Sequence, residues 1–396
     1  MKLLYIVQYF RFPDETGGTR PYDLASSFAK KGVDVTVLTS DTDGDAKEKW
    51  TLIERDGIKV YRVNCPYSNN MGTIQRIMSF CKFFTKVSIK QFSFDYDIML
   101  ASSTPLTNGI PALVAKAFRN KPYVFEVRDV WPGIPIAMGY FKNKLIRKFL
   151  YAFEKRIYKK SSAIVPLSTG MDANIKQRYP NDKSVIIPNI SEVNRFTDTK
   201  KTVDIDFPAD KKVVLYAGTF GNVNGLTYVI NLAEKTLNID STVCFYLIGK
   251  GKEKNDIIKQ AENKGVLNKN VFIFDPVRKN DLPYLYSKCT MGSSFVIDIP
   301  ALWDNSANKF FDTLAAKKPM LINHEGWQAD LIREKNIGYV LPSVIDSSAA
   351  EKFVKHINNM ELLIIQGKNA YQVAKDEFSL EVALDKYMNI FESIKV

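Results

Sequence analysis

Residues 301–319, ALWDNSANKFFDTLAAKKP, hold the groups best suited to chemistry. Asn305-Ser306 reads as a cap and predicts a short helix from Ala307 to Ala316. On it Lys309 and Asp312 stand three apart on one face, with Asp304 just before the start. An ammonium beside two carboxylates at a helix N-terminus can grip phosphate with one group and sugar hydroxyls with the others. The plain alternative is a surface salt bridge.

Three glycine-bearing turns follow predicted strands. Gly17-Gly18 precedes Arg20 and a helix; Tyr-Ala-Gly-Thr-Phe-Gly (216–221, with Gly218 and Thr219) is followed by Asn224-Gly225; Gly249 and Gly251 close another strand. Glycine lets backbone N–H groups come close to an anionic phosphate. None of these is a Walker loop or a GxGxxG fingerprint, and each alone could be an ordinary strand–helix loop. Matching turns in two halves of the chain carry more than either does singly.

Glu126-Val127-Arg128-Asp129-Val130-Trp131-Pro132 follows an apolar strand directly. A carboxylate at a strand's carboxyl end, beside an arginine, can orient or deprotonate a hydroxyl. A structural Arg–Asp pair holding a loop is the alternative. Asp95-Tyr96-Asp97 has the spacing of a metal-binding pair but immediately precedes a strand, where carboxylates cap or face water. It is not assigned a metal.

The elements that must position these groups alternate regularly. Predicted strands are Leu3–Gln8, Val33–Leu38, Ile58–Val63, Ile98–Leu100, Tyr123–Val127, Ala163–Val165 and Ser184–Ile187, with helices near 20–31, 73–92, 107–119, 142–160 and 169–178 between them. A polar stretch, 191–211, interrupts the series. A second series follows: strands Val213–Ala217, Thr242–Ile248, Val271–Phe274, Thr290–Val296 and Met320–Ile322, then helical stretches to the end. The expected architecture is α/β: two doubly wound, Rossmann-like domains, 1–190 and 212–376, facing a central cleft. Residues 377–396 form a last helix that can pack back on the first domain.

Composition narrows the function classes. The 396 residues are 45% hydrophobic and 25% charged, which is globular and not disordered. No apolar run is long enough for a spanning helix, and the opening MKLLYIVQYF reads as a first strand, not a signal peptide. The four cysteines lack CxxC spacing and are expected to be reduced, packed thiols. Two histidines, His324 and His356, are too few for a His-rich metal centre.

The net charge of +12 lies wholly in residues 1–180, with 28 Lys and Arg against 16 Asp and Glu; the remainder balances at 27 of each. Residues 57–94 hold no acidic side chain, and Arg76, Lys82 and Lys86 alternate there with phenylalanines. Residues 142–160 add Lys144, Arg147 and Lys148 against a single Glu154. Basic–aromatic helices suit the surface of an anionic membrane. Nucleic acid attracts the same charges, and aromatics turned to the core are the structural alternative.

Taken together, the chain resembles a retaining family 4 glycosyltransferase of the GT-B fold. The resemblance is closest to the bacterial O-antigen and capsule branch that includes UDP-N-acetyl-L-fucosamine transferases. It rests on Gly17-Gly18-Thr19-Arg20, EVRDVWP (126–132), IPN (187–189), YAGTFGNVNGL (216–226), NKFFDTLAAKKP (308–319) and NHEGWQADLI (323–332), in that order and over nearly the whole length.

The resemblance implies a nucleotide-sugar donor, UDP-linked, on the second domain and an acceptor on the first, with neither metal nor other cofactor. Of the paired carboxylates, Asp312 would bind ribose hydroxyls and Asp304 the donor sugar; both are Asp where Glu is usual. Thr219 and Asn224 stand where many members carry phosphate-binding Arg and Lys. Lys309 is the replacement, helped by N–H groups of Gly17, Gly18 and Gly218 near Gly249, with Arg278 a further option. Asp129, Glu126 and Arg128 would serve catalysis, and Arg20 and Trp131 the acceptor. That acceptor would be a polyprenyl-diphosphate-linked saccharide, reached by a cytoplasmic protein lying on the inner face of the cytoplasmic membrane. The alternatives are a GT-B nucleotide-sugar epimerase, which the basic half disfavours, and a nucleic-acid-binding protein, which leaves Asp304, Lys309 and Asp312 unexplained.

Overall fold

The computed structural model describes residues 1–44, 49–67 and 71–395. The first domain runs β1 (Lys2–Val7), α1 (Arg20–Lys30), β2 (Asp34–Asp41), β3 (Trp50–Arg55), β4 (Ile58–Asn64), α2 (Thr73–Lys90), β5 (Ile98–Ser102), α3 (Gly109–Arg119), β6 (Tyr123–Val127), α4 (Gly133–Ala137), α5 (Lys144–Lys160), β7 (Ala163–Pro166) and α6 (Thr169–Arg178). Its sheet has the order β3-β4-β2-β1-β5-β6-β7, parallel except for the β3–β4 hairpin. Along β1, Leu3, Tyr5 and Val7 enter one core with α1, while Leu4 and Ile6 enter another with α2, α3 and α5. Burial on both faces explains why these strands are apolar runs and not alternating ones.

The second domain runs β8 (Lys212–Ala217), α7 (Leu226–Leu237), β9 (Val243–Ile248), α8 (Lys254–Asn263), β10 (Val271–Phe274), α9 (Leu282–Lys288), β11 (Met291–Ser294), α10 (Asn308–Ala315), β12 (Met320–Ile322), α11 (Trp327–Lys335), β13 (Gly338–Val340), α12 (Ser347–Ile357) and α13 (Met360–Glu377). Its parallel sheet has the order β10-β9-β8-β11-β12-β13. Each sheet reverses its winding beside its first strand, between β1 and β5 and between β8 and β11. Loops at such points open the crevice where ligands bind, and the turns at Gly17-Gly18 and Gly218 lie there.

The chain crosses between domains twice, side by side. Ser191 N donates to Phe378 O at 2.8 Å, and Ser191 bridges Ser379 just before α14 (Leu380–Lys395). Helix α14 then packs Leu384, Tyr387 and Phe391 into the first domain's core beside Phe28. The polar stretch after the first crossing is not free, because Val193, Phe196 and Ile205 are buried in the second domain.

Several local expectations need correction. Segment 184–187 does run along β7, with Val185 N on Ile164 O at 2.9 Å and Ile187 N on Pro166 O at 3.1 Å, but its pairing ends there because the Ile187 carbonyl is taken by Arg20. The Asn305-Ser306 cap does not form. Helix α10 starts after Ala307 with no side-chain cap, and Ser306 Oγ accepts from Asn189 N at 3.4 Å. Of the four cysteines, Cys81 is exposed and not packed.

Candidate active site

A cleft of about 330 Å3 opens between the two switch points. The first domain contributes Gly17 and Gly18; the second contributes Gly218, Thr219, Gly249, Lys279, Asn308, Lys309 and Asp312. Close approach dictates Gly249, where a Cβ would lie 1.8 Å from Gly218 O; at Gly18 a Cβ would meet only the movable Asn308 side-chain amide, 2.5 Å away. The Gly218 turn is pinned by Tyr216, whose hydroxyl donates to Thr219 O at 2.7 Å.

Helix α10 buries Phe310, Phe311 and Leu314 in the core, which turns Asn308, Lys309 and Asp312 toward the cleft. Lys309 and Asp312 share that face but are not partners. Lys279 Nζ donates to both carboxylate oxygens of Asp312, 2.6 Å each, and both side chains are buried. Lys309 instead sets its ammonium 5.0 Å from the Tyr216 ring centroid, beside Gly218. Burial drives its pKa down to about 8, with Asp312 opposing the shift. The cleft therefore holds an ammonium with no carboxylate partner among the described residues, beside an uncapped helix N-terminus. Both attract an anion.

Lys279 escaped the sequence reading, which named its neighbour. Arg278 points outward and closes on Asp281 through Nε and a terminal nitrogen, 3.0 Å each, so it does not enter the cleft. Asn224 lies in the turn after Gly221, and it too is absent from the cleft wall. Asp304 is displaced as well. Its carboxylate presses on Gly170 at the start of α6, where a Cβ would lie 2.0 Å away, and Ser168 donates to its backbone oxygen at 2.6 Å. Burial raises the Asp304 pKa.

The first-domain carboxylates separate into two kinds. Glu126 is fully buried: Arg20 Nε donates to it at 2.9 Å, Tyr387 Oη at 2.6 Å, and Ser102 Oγ to its other oxygen. Burial alone would raise its pKa; Arg20, Arg128 and the two hydroxyls outweigh that and hold the carboxyl below its ordinary range. Arg20 spends its remaining donors on the Pro188 and Ile187 carbonyls. Glu126 and Arg20, expected at the chemistry and at the acceptor, thus form an internal tie between β6, α1 and α14. Asp129 is different. It accepts from Thr104 Oγ1 at 2.6 Å and is only half-buried. The Arg128 side chain makes no hydrogen bond or ion pair among the described residues, although its charge acts on Glu126 and Tyr5. Trp131 packs edge-on to Phe141 at 5.8 Å.

The Asp95–Asp97 pair lies away from the cleft, Asp95 on Lys2 Nζ at 3.0 Å and Asp97 on Lys2 N at 2.8 Å. On the basic helices the division between core and surface also differs from expectation. Phe83 is buried and Phe84 half-buried, while the exposed apolar side chains are aliphatic on α2 (Ile74, Ile77, Met78, Ile89), with Leu145, Ile146 and Phe149 on α5. Lys82, Lys144 and Lys148 stand exposed among them. Arg147 folds back on Phe141 O at 2.6 Å, Lys86 and Arg76 are half-buried, and the charge of Arg76 acts on the Tyr9 phenol. No described helix is long and apolar enough to cross a membrane.

Comparison with known proteins agrees with this fold. Residues 16–190 match the family described as glycosyl transferase 4-like domain, and residues 198–373 match glycosyl transferases group 1. The poly(ribitol-phosphate) alpha-N-acetylglucosaminyltransferase of Staphylococcus aureus is 23% identical over 46% of this chain and 36% of its own length. Glycosyltransferase MJ1069 of Methanocaldococcus jannaschii is 22% identical over 88% of each. The structure of Anabaena Alr3699/HepE in complex with UDP-glucose superposes with a TM-score of 0.71, at 17% identity, covering 100% of this chain and 99% of that one. Three of the curated relatives are matched over only 36%, 37% and 64% of their own length. The chain belongs to the GT-B glycosyltransferases, with a glycosyl transferase 4-like domain followed by a group 1 domain.

Proposed function

We propose that the protein transfers a sugar from a nucleotide-sugar to a growing polysaccharide, with retention of anomeric configuration and without a metal. The observation that carries this is the pairing in one cleft of an unpartnered Lys309 ammonium with the Lys279-held Asp312 carboxylate. A diphosphate finds charge at Lys309, backbone N–H groups at the glycines and the start of α10. Ribose hydroxyls find Asp312, whose carboxylate has acceptor capacity left beyond the two Lys279 bonds. UDP is the favoured nucleotide, supported by the likeness to a fold that binds UDP-glucose. An N-acetylated hexosamine is the favoured sugar, in keeping with the S. aureus relative.

The leaving diphosphate carries developing charge, and fixed cations that stabilise it accelerate the step. Asp129, held by a hydrogen bond from Thr104 Oγ1, would orient or deprotonate the acceptor hydroxyl, which attacks from the face the leaving group vacates. The acceptor is a polyprenyl-diphosphate-linked saccharide of O-antigen or capsule type. The exposed apolar side chains and lysines of α2 and α5 would hold the protein on the inner face of the cytoplasmic membrane. The test is incubation with UDP-N-acetylhexosamines in EDTA, scoring UDP release on adding membrane-extracted lipid-linked saccharide and assigning the product anomer by NMR. UDP release with retained configuration supports the proposal; release only with added metal, or inversion, overturns its mechanism.

A further inference from the structure

Residues 16–18, the first domain's contribution to the cleft wall, are fastened at both ends to the second domain. Before them, Glu15 O accepts from Lys279 N at 3.3 Å. After them, Thr19 Oγ1 accepts from one terminal nitrogen of Arg195 at 3.0 Å, and the other donates to Asp23 at 2.6 Å. We propose that Arg195 is a positioning residue for the transfer, holding the Gly17-Gly18 turn where a nucleoside diphosphate on Lys309 and Asp312 needs it. The proposal rests on the transferase reading and adds to it a residue that lies outside the cleft wall.

Arg195 belongs with the second domain. Its neighbour Phe196 is buried in that domain's core, edge-on to Tyr286 at 5.6 Å and 77°. Thr19 and Asp23 belong with the first domain, at the start of α1, and both are buried. Thr19 gives α1 no side-chain cap, because its hydroxyl donates to Asp23 at 2.7 Å instead. Asp23 thus takes the Thr19 hydroxyl and the Arg195 guanidinium, and Arg195 bridges the two residues in return. A planar guanidinium on two acceptors fixes orientation as well as distance. Glu192, the other carboxylate beside Arg195, stands at 3.9 Å, beyond hydrogen-bond reach.

The other anchor is held just as firmly. Arg62 donates to both Glu15 carboxylate oxygens at 3.0 Å each, and Phe12 N donates to one of them at 2.6 Å. The donor to Glu15 O is the backbone of the same Lys279 whose ammonium holds Asp312. Turn and carboxylate therefore share one reference point. The crevice among Arg195, Asp23, Lys279 and Asp312, of about 10 Å3, has room for little more than one water. Its charges answer one another across the domain boundary and not a ligand. Gly17 and Gly18 have no side chains with which to find their own place, and a misplacement of about 1 Å can cost roughly a hundredfold in rate.

The test titrates UDP and uridine calorimetrically into the full chain and follows melting in parallel. The variants are Arg195→Ala, Arg195→Lys, and Arg195→Ala combined with Asp23→Asn. Arg195→Ala leaves Asp23 buried without its cation and should melt lower; the double variant removes that charge and should regain most of the loss. UDP affinity should fall at least tenfold in both, while uridine, which lacks the phosphates, binds as it does to wild type. Arg195→Lys should restore UDP binding part of the way. UDP affinity that recovers with stability in the double variant, or that never falls, overturns the proposal and leaves the transferase reading intact. Equal losses for UDP and uridine overturn it as well, because they report a collapsed site and not a displaced turn. If Arg195→Ala does not fold, the double variant carries the comparison. Failure of wild type to bind UDP removes the transferase reading itself.

Discussion

Lys279 brings its ammonium to 2.6 Å from both carboxylate oxygens of Asp312, across 33 positions of sequence. The pair ties the loop after β10 to helix α10, and it fixes the carboxylate that faces the nucleotide cleft. Removing one member leaves a buried unpaired charge, at a cost of about 3–5 kcal/mol, whereas removing both in favour of apolar groups costs far less. Lys279→Met is therefore expected to lower the melting temperature more than Lys279→Met with Asp312→Leu, and both to lose nucleotide binding. Equal melting temperatures for the two would contradict the account.

Lys309 makes nucleotide affinity pH-dependent. Its folded pKa of about 8 lies below the ordinary lysine value because burial disfavours the charge. In the free protein the ammonium is present below pH 8 and lost above it, so nucleotide binding should weaken as pH rises from 7 to 9. The same shift acts oppositely on stability: the unfolded chain binds the extra proton between about pH 8 and the ordinary lysine pKa, so Lys309 contributes increasing stability as pH rises through that window. Nucleotide titrations at several pH values check the first statement. Lys309→Met should bind weakly and without that pH dependence.

Glu126 and Asp129 should respond to substitution in opposite ways. Glu126→Gln leaves Arg20 buried without its counter-ion, so a stability loss of about 3 kcal/mol or more is expected. Asp129→Asn, at a half-buried site, should leave the melting temperature within a few degrees and reduce kcat at least tenfold. Melting curves alongside initial rates separate the two.

The exposed faces of α2 and α5 should carry membrane binding. Each Lys near an anionic surface is worth about 1 kcal/mol, and each buried CH2 roughly 0.8 kcal/mol. Leu145→Asp with Phe149→Asp should reduce flotation with phosphatidylglycerol vesicles at least tenfold. Lys144→Glu with Lys148→Glu should do so mainly at low salt. Retention on DNA that the aspartate pair leaves untouched would instead favour a nucleic-acid partner.

Much of the framework was legible because parallel strands buried on both faces write themselves as apolar runs between helical patterns. Strands at Tyr123–Val127, Val271–Phe274 and Met320–Ile322 fall where the pattern places them. Strand β3 was missed, although Asp56-Gly57, both with positive φ, is a hairpin signal. Short elements such as β13 and α11 carry too little periodicity to be seen. In the site, Lys309 and Asp312 could be read because helical spacing places them together. Lys279 could not, since no local period links it to α10, and its neighbour Arg278 is an equally plausible cation until the turn decides which one faces inward. Glu126 looked reactive because it is charged near a strand's carboxyl end, and Arg20 because it follows the Gly17-Gly18 turn. Only the arrival of Tyr387, 261 positions later, shows that their charges are spent on each other and on the last helix.

The most direct test of the central claim is thermal unfolding in EDTA with UDP, GDP or neither, for wild type and Asp312→Ala. A nucleotide at about 100 times its dissociation constant stabilises by roughly 2.7 kcal/mol, which a melt resolves. The account predicts a shift with UDP for wild type that Asp312→Ala loses. No shift with either nucleotide, or a UDP shift that survives in Asp312→Ala, would contradict it.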